Sequence, residues 1–322
     1  MSDTGYAYAV ARIRAKELTL LSAQAVEALL AAKSGEECLR LLEEKGWSTD
    51  AGKGPEQLLA SERERTWSLL AELVDDMSVF DVFLYANDFH NLKAATKLVY
   101  TEQEPHGVFL SHGTVSAETL YNAVKNRSFA ELPEHLRTAA EEAYRVLSHT
   151  GDGQLCDMIL DKAALKAILK AGRASKFPLI RQYAELTAAA ADIKTAVRCQ
   201  KTGKSLEFIK QALAPCDTVD VPALAAAAAS SLEALLGYLE GTGYSEAGQA
   251  LRVSTQQFER WCDNVVIELI RPQKYHSFTV EPLVAYLLAK ENEIKIVRII
   301  LSAKLNGLST ESVRERLREL YV

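Results

Sequence analysis

The chain has 322 residues and a formal net charge of −6, so it has no overall basic field with which to hold nucleic acid. Hydrophobic residues make up 48% and charged residues 25%, which is typical of a water-soluble globular protein. Gly (16) and Pro (8) are scarce, strand-like runs of Val, Ile and Thr are missing, and Leu, Ala, Glu, Lys and Arg dominate. Because these residues lose least on entering a helix, the composition predicts an all-α protein.

The first part of the chain is predicted to form helices separated by capped turns. Residues 6–32 carry apolar side chains at helical spacing, which predicts one long helix. Ser34, with Glu37 three residues later, forms a capping box that starts the next helix. A proline then opens a helical stretch over residues 55–85, and a further helix is predicted over residues 87–100.

The later part of the chain is organised in the same way. Residues 101–114, which contain Pro105, Gly107 and Gly113, and residues 215–222, which begin and end with proline, predict boundaries between units. Residues 221–239 are mostly alanine and predict a buried, closely packed helix, because a membrane span needs ~20 strongly hydrophobic residues. The chain starts without the basic and apolar regions of a signal peptide, so we expect a soluble protein.

Three short strings, each a polar residue followed by an aliphatic residue and a lysine, recur at an interval of 101 residues. They are Asn91-Leu92-Lys93, Asp192-Ile193-Lys194 and Glu293-Ile294-Lys295. A turn that contains a glycine follows each string, at Gly107, Gly203 and Gly307. The repeat predicts one helical unit used three times, in residues 1–112, 113–213 and 214–322.

No group of residues in the sequence is typical of catalysis. The HExxH and GxSxG motifs are absent, and the histidines and five scattered cysteines lack metal-ligand spacing. Residues 202–205 contain the Gly-Lys-Ser end of a phosphate-binding loop, but Arg198 replaces its first glycine and a helix precedes it. We therefore predict a plain helix-to-helix turn there, and no catalytic, cofactor or metal site.

Basic residues recur with the repeat and are the candidate partner-binding side chains. Each unit has a pair about one helical turn apart: Lys93 and Lys97, Lys194 and Arg198, and Lys295 and Arg298. Two interpretations are open. The pairs form solvated helix faces with carboxylate partners in the same chain, or pseudo-symmetry gathers them into a positive ring that faces a partner.

Several segments resemble a known family. They are residues 6–15 (Tyr-Ala-Tyr-Ala-Val-Ala-Arg-Ile-Arg-Ala), 87–93 (Asn-Asp-Phe-His-Asn-Leu-Lys), 293–301, 304–308 and the closing 317–322 (Leu-Arg-Glu-Leu-Tyr-Val). Together they are similar to the C subunit of archaeal and bacterial A/V-type ATPases, the homologue of the d subunit of eukaryotic vacuolar ATPases. The likeness is strong at both ends and in the first unit, and looser from about residue 125 to 260.

The resemblance implies a funnel of three similar helical bundles around a pseudo-threefold axis. It implies a non-catalytic central-stalk (rotor) subunit, cytoplasmic and peripherally attached to the membrane. Its partners would be the central-shaft subunits D and F and the membrane proteolipid ring, and it would couple ion transport to ATP hydrolysis or synthesis. One competing interpretation is a generic helical-repeat adaptor that binds peptides, although common helical repeats span only ~34–47 residues. The other competing interpretation is an enzyme, which the lack of a recognisable group of catalytic residues disfavours.

Overall fold

The computed structural model describes residues 5–47 and 54–322. Over these residues the protein consists of helices and turns and contains no strand, which confirms the prediction of an all-α protein. Packing divides the chain into two compact units: the first combines residues up to Met77 with Glu246–Val322, and the second is Ser78–Ser245. The organisation into three units of about 100 residues stays a prediction.

Sixteen α-helices lie in the described residues. In chain order they are α1 (Ala7–Glu17), α2 (Ala23–Ala31), α3 (Gly35–Glu44), α4 (Pro55–Leu73), α5 (Asp81–Tyr100), α6 (Ala117–Asn126), α7 (Glu134–Thr150), α8 (Gly153–Ala174), α9 (Pro178–Lys201), α10 (Leu206–Ala212), α11 (Val221–Ser230), α12 (Leu232–Glu240), α13 (Ser245–Val253), α14 (Thr255–Ile270), α15 (Glu281–Leu305) and α16 (Thr310–Arg314). Short 3-10 segments at Met77–Phe80, Phe129–Glu131 and Arg271–Tyr275 join some of them.

The single helix predicted over residues 6–32 is wrong, because the chain breaks between α1 and α2. The Ser22 hydroxyl caps α2 by accepting a hydrogen bond from the Ala25 N–H at 3.3 Å. The N–H of Leu21, in the break, donates to the Glu293 carboxylate at 2.5 Å. A cap and a long-range hydrogen bond decide this break, and neither is visible in the apolar periodicity.

Two further helix boundaries differ from the prediction. The helix expected over residues 221–239 is two helices, because Ser231 is extended and caps α12 by accepting from the Ala234 N–H at 3.0 Å. The stretch predicted over residues 55–85 ends with α4 at Leu73, and α5 runs without a break from Asp81 to Tyr100. The capping box is present: the Glu37 N–H donates to Ser34 at 3.2 Å, and the Glu37 carboxylate accepts from the Lys33 N–H at 2.7 Å. These helix boundaries therefore depend on individual polar contacts.

The long helix α15 is the centre of the first unit. It packs against α1, α4 and α14, and its side chains from Glu281 to Lys290 are all buried. Its apolar residues join those of α2, α3 and α4 in one core that includes Leu29, Leu42, Leu59 and Ile300. Helices from the two ends of the chain thus share a single core.

The second unit is built around α5, α8 and α9. Helix α8 packs against α5, α7 and α9, and α5 also packs against α6. Phe89, Leu92, Leu120 and Leu160 belong to the core that α5 to α8 enclose. Helix α9 also packs against α10, α11 and α12.

Helices α9 and α15 end in the same way: Gly203 and Gly307, two residues beyond each helix, both have φ values of 63°. After α5 the same position is held by Glu102, with φ 53°, and Gly107, with φ 65°, lies further along the loop. This left-handed conformation is one that glycine adopts without steric cost. Glycine turns directly follow the helices of the second and third lysine-bearing strings, as predicted, whereas Glu102 makes the turn directly after α5.

Candidate functional site

The first residue of each repeated string is buried and binds a backbone N–H. Asn91, Asp192 and Glu293 are 1%, 0% and 3% exposed. The donors are Leu110 N–H to Asn91 Oδ1 at 2.8 Å, Ala214 N–H to Asp192 Oδ1 at 2.9 Å, and Leu21 N–H to Glu293 Oε2 at 2.5 Å. Each long helix thus fixes an irregular segment of the chain through one buried polar side chain. The sequence revealed the spacing but not this role, which had no local signal.

On α5, the string Asn87 to Lys93 holds the loop that follows the helix. Asp88 is fully buried and accepts hydrogen bonds from the Thr114 hydroxyl at 2.6 Å and from the Val115 N–H at 3.2 Å. Asn87 donates to the backbone carbonyl oxygen of His112 at 2.8 Å. A Cβ atom at Gly113 would lie 2.3 Å from Asp88 Oδ1, so the loop needs glycine at that position. The role of this string is to position a loop.

On α9, Asp192 is a buried carboxyl group with few polar contacts to offset its loss of hydration. Its Oδ2 atom has no hydrogen-bond partner, and burial raises its pKa to about 7 against the opposing effects of the Ala214 N–H and of Lys162. Burial and the nearby carboxylates of Asp192 and Glu185 raise the pKa of Cys216 to about 12, so its thiol is not a reactive nucleophile. Burial therefore favours the uncharged forms of Asp192 and Cys216, and the Asp192 side chain positions the loop at Ala214 rather than a substrate.

On α15, Glu293 belongs to a buried network of charges. Lys290 Nζ lies 2.5 Å from Glu293 Oε1 and 3.2 Å from Glu62 Oε2 on α4. Arg65 approaches Glu62 Oε1 at 2.5 Å and also donates to the backbone of Gly46. Burial raises the pKa of Glu293, and Lys290 opposes that rise. The network ties α4, α15 and the segment before α2 together.

Carboxylate partners in the same compact unit are found for Lys93, Lys97, Lys295 and Arg298. Lys93 pairs with Asp161, Lys97 with Asp157 at 2.7 Å, Lys295 with Asp263 at 2.7 Å, and Arg298 with Glu56 at 2.9 Å. Lys194 and Arg198 are exposed on α9. The four pairs agree with the interpretation of a solvated helix face. A role of the six residues in partner binding stays a prediction.

The Gly-Lys-Ser segment is a helix-to-helix turn, as predicted. Helix α9 precedes it, α10 follows it, and Ser205 caps α10. The Lys204 ammonium group donates to the Gln154 side chain at 2.8 Å and lies 4.9 Å from the centre of the Phe208 ring. The Lys204 ammonium group therefore makes its contacts with side chains of the same chain.

None of the helices in the described residues is both long enough and apolar enough to cross a bilayer. Across residues 5–47 and 54–322, no group of three or more His, Cys, Asp or Glu side chains is arranged to hold a metal ion.

Comparison with known proteins gives a consistent result over nearly the whole chain. The family model described as ATP synthase (C/AC39) subunit matches residues 9–316. The chain is 24% identical over 321 residues to the C subunit of the V-type sodium ATPase of Enterococcus hirae, with 96% of this chain and 97% of that protein covered. It is 24% identical to the C subunit of the A-type ATP synthase of Methanocaldococcus jannaschii, with 98% and 86% covered. A shorter match, 27% identical over 212 residues, covers 62% of this chain and 64% of the C subunit of the V-type ATP synthase of Thermus thermophilus.

Proposed function

The chain belongs to the ATP synthase (C/AC39) subunit family and is a non-catalytic subunit of a V/A-type ATPase, and we propose that it is the central-stalk rotor subunit of that machine. In this role it receives the central-shaft subunits D and F on one side and rests on the membrane proteolipid ring on the other. It is then cytoplasmic and peripherally attached, and it transmits torque between ATP turnover and ion transport.

The match of the family model to residues 9–316 carries this proposal. The fold is compatible with it, because a torque-transmitting subunit must be stiff and close-packed interiors resist deformation. Helix α15 is buried along most of its length, and both units have contiguous apolar cores. The three-bundle funnel around a pseudo-threefold axis is part of the proposal. Superposition of residues 1–112, 113–213 and 214–322 in an experimental structure of the subunit tests it.

Reconstitution of the ATPase in vesicles tests the coupling role. Complexes assembled without this chain should still hydrolyse ATP but should lose ATP-driven ion uptake, and addition of the purified chain should restore uptake. Coupling requires a mechanical connection, so hydrolysis and transport must separate when that connection is missing. Undiminished ion uptake without the chain would contradict the proposal.

The basic residues on the long helices are proposed to contribute to binding of the shaft subunits. Lys194 and Arg198 offer the sharpest test, because both are exposed on α9. Reversing both charges with K194E/R198E should weaken binding of subunits D and F roughly tenfold, since exposed ion pairs contribute ~0–1 kcal/mol each.

The matched control is K33E/R40E, which reverses two exposed charges elsewhere in the chain. The salt dependence of binding should be smaller for the K194E/R198E variant than for the unaltered chain, because two of the six charges attracted to the partner, whose effect salt screens over about 8 Å at ~0.15 M, are gone. Equal affinities of the K194E/R198E and K33E/R40E variants for subunits D and F would contradict the proposed role of these basic residues in partner binding.

A further inference from the structure

The last turn of α10 lacks backbone donors for two of its carbonyl groups. In a continued helix, the Lys210 carbonyl would accept from the N–H of residue 214, and the Gln211 carbonyl from that of residue 215. The Ala214 N–H instead donates to Asp192 Oδ1 at 2.9 Å, and residue 215 is a proline, which has no N–H. Both carbonyl groups therefore need a donor from outside the helix.

The Lys162 ammonium group on α8 supplies that donor. Its Nζ atom lies 2.8 Å from the Gln211 carbonyl oxygen and 3.5 Å from that of Lys210. A lysine that donates to the last carbonyl groups of a helix caps its C-terminus. Lys162 and Gln211 also line a cavity of about 670 Å³ between α7, α8 and α10. The lysine side chain is thus half-buried and has room to adopt a second position.

Asp192 lies at the same junction and has an acceptor atom that is not used. The residue is fully buried, and its Oδ2 atom has no hydrogen-bond partner. The side chains that hold the other two irregular segments differ from it. Asn91 carries no charge, and Glu293 is held by Lys290 at 2.5 Å. Of these three side chains, Asp192 is the acid that has no ion pair within residues 5–47 and 54–322.

The groups around Asp192 include one cation that stabilises its charged form. Burial raises the pKa of Asp192 to about 7, the Ala214 N–H and Lys162 oppose that rise, and Glu185 on α9 adds to it. Helix α11 carries no titratable side chain. The other titratable side chains on the segments packed against α9 here are Lys166 and Arg173 on α8, the Glu207–Lys210 pair on α10, Glu233, Tyr238 and Glu240 on α12, and Cys216 and Asp217 in the loop.

We propose that Asp192, Lys162 and the last turn of α10 form a pH-sensitive switch. When Asp192 is neutral, it holds the Ala214 N–H, and Lys162 caps α10. When Asp192 gives its proton to water, the carboxylate draws the Lys162 ammonium group from the two carbonyl oxygens to Oδ2, because an unpaired buried charge is costly. Helix α10 then loses its C-terminal cap, and its last turn opens more often. This switch is independent of the rotor assignment.

Amide hydrogen exchange of residues 209–213 in the full chain tests the proposal. Mass spectrometry measures the exchange rate, which is divided by the intrinsic rate at each pH. In the unaltered chain the corrected rate should rise about tenfold from about pH 6 to about pH 8, on either side of the Asp192 pKa. That factor corresponds to the loss of one hydrogen bond from a charged donor.

Two variants separate the parts of the switch. D192N keeps the acceptor for the Ala214 N–H but cannot ionise, so residues 209–213 should exchange slowly at both pH values. K162M removes the cap, so their exchange should already be fast at the lower pH. The matched control is K166M, one turn further along α8, where the lysine is exposed. This variant should behave like the unaltered chain, because Lys162 is the donor to the two carbonyl groups.

Three results would overturn the proposal. The first is a corrected exchange rate that does not change with pH in the unaltered chain. The second is a pH-dependent rise that persists in D192N. The third is exchange in K162M at the lower pH that is as slow as in the unaltered chain.

Discussion

Replacing Lys290 with Met should destabilise the first unit strongly at neutral pH. Lys290 is 6% exposed and bridges two carboxylates that are each 3% exposed, Glu62 and Glu293. Methionine keeps most of the volume but leaves both acids facing each other in a poorly solvated site. Removing one partner of a buried ion pair typically costs 3–5 kcal/mol, so we expect a loss of about 4 kcal/mol in the free energy of unfolding.

The pH dependence gives this prediction a second test. Burial already raises the pKa of Glu293, and loss of the Lys290 charge should raise it further. A carboxyl group with a raised folded-state pKa contributes stability at low pH that is lost as the pH rises through that pKa. The deficit of K290M should therefore shrink on acidification. Adding E293Q to K290M should recover part of the loss at pH 7, because it removes the charge of Glu293, the carboxylate that loses its cationic partner, whereas Glu62 keeps Arg65.

The matched control is K295M, five residues further along the same helix. Lys295 pairs with Asp263 at 2.7 Å, but its side chain is 51% exposed. Exposed pairs contribute ~0–1 kcal/mol, so K295M should change stability by less than about 1 kcal/mol. Urea unfolding followed by circular dichroism measures both variants. A K290M deficit no larger than that of K295M, and independent of pH, would refute the reasoning.

Other predictions concern the loops held by α5 and α9. Because the pKa of Asp192 is raised to about 7, its contribution to stability should be lost as the pH rises through 7. D192N keeps the acceptor for the Ala214 N–H, so it should stabilise the chain by about 2 kcal/mol at pH 8 and flatten the pH profile, measured by urea unfolding. G113A should destabilise by about 1–3 kcal/mol, since its Cβ would lie 2.3 Å from Asp88 Oδ1. Gly237 lies at an exposed helical position where an added Cβ would have no atom within 4 Å, so G237A should instead stabilise the chain by ~0.5–1 kcal/mol. Thermal melts of G113A and G237A should therefore show shifts of the melting temperature in opposite directions.

The sequence by itself determined the fold class, the positions of many helix ends and the family. Helix formation depends mainly on near neighbours, and the composition and the 3.6-residue periodicity report it directly. The capping box at Ser34 and the glycine turns after α9 and α15 are local as well, and each agrees with the prediction. The family likewise followed from strings of residues that can be read along the chain.

Tertiary structure decided what the local signals could not. The break before α2 depends on Glu293, 272 residues from Leu21, and the core of the first unit joins the two ends of the chain. The ion-pair partners of Lys93 and Lys295 lie on other helices, 68 and 32 residues away along the chain. Whether a charged side chain is a free surface group or part of an internal pair depends on distances through space. Helical periodicity places such residues on a face but carries no information about what lies opposite that face.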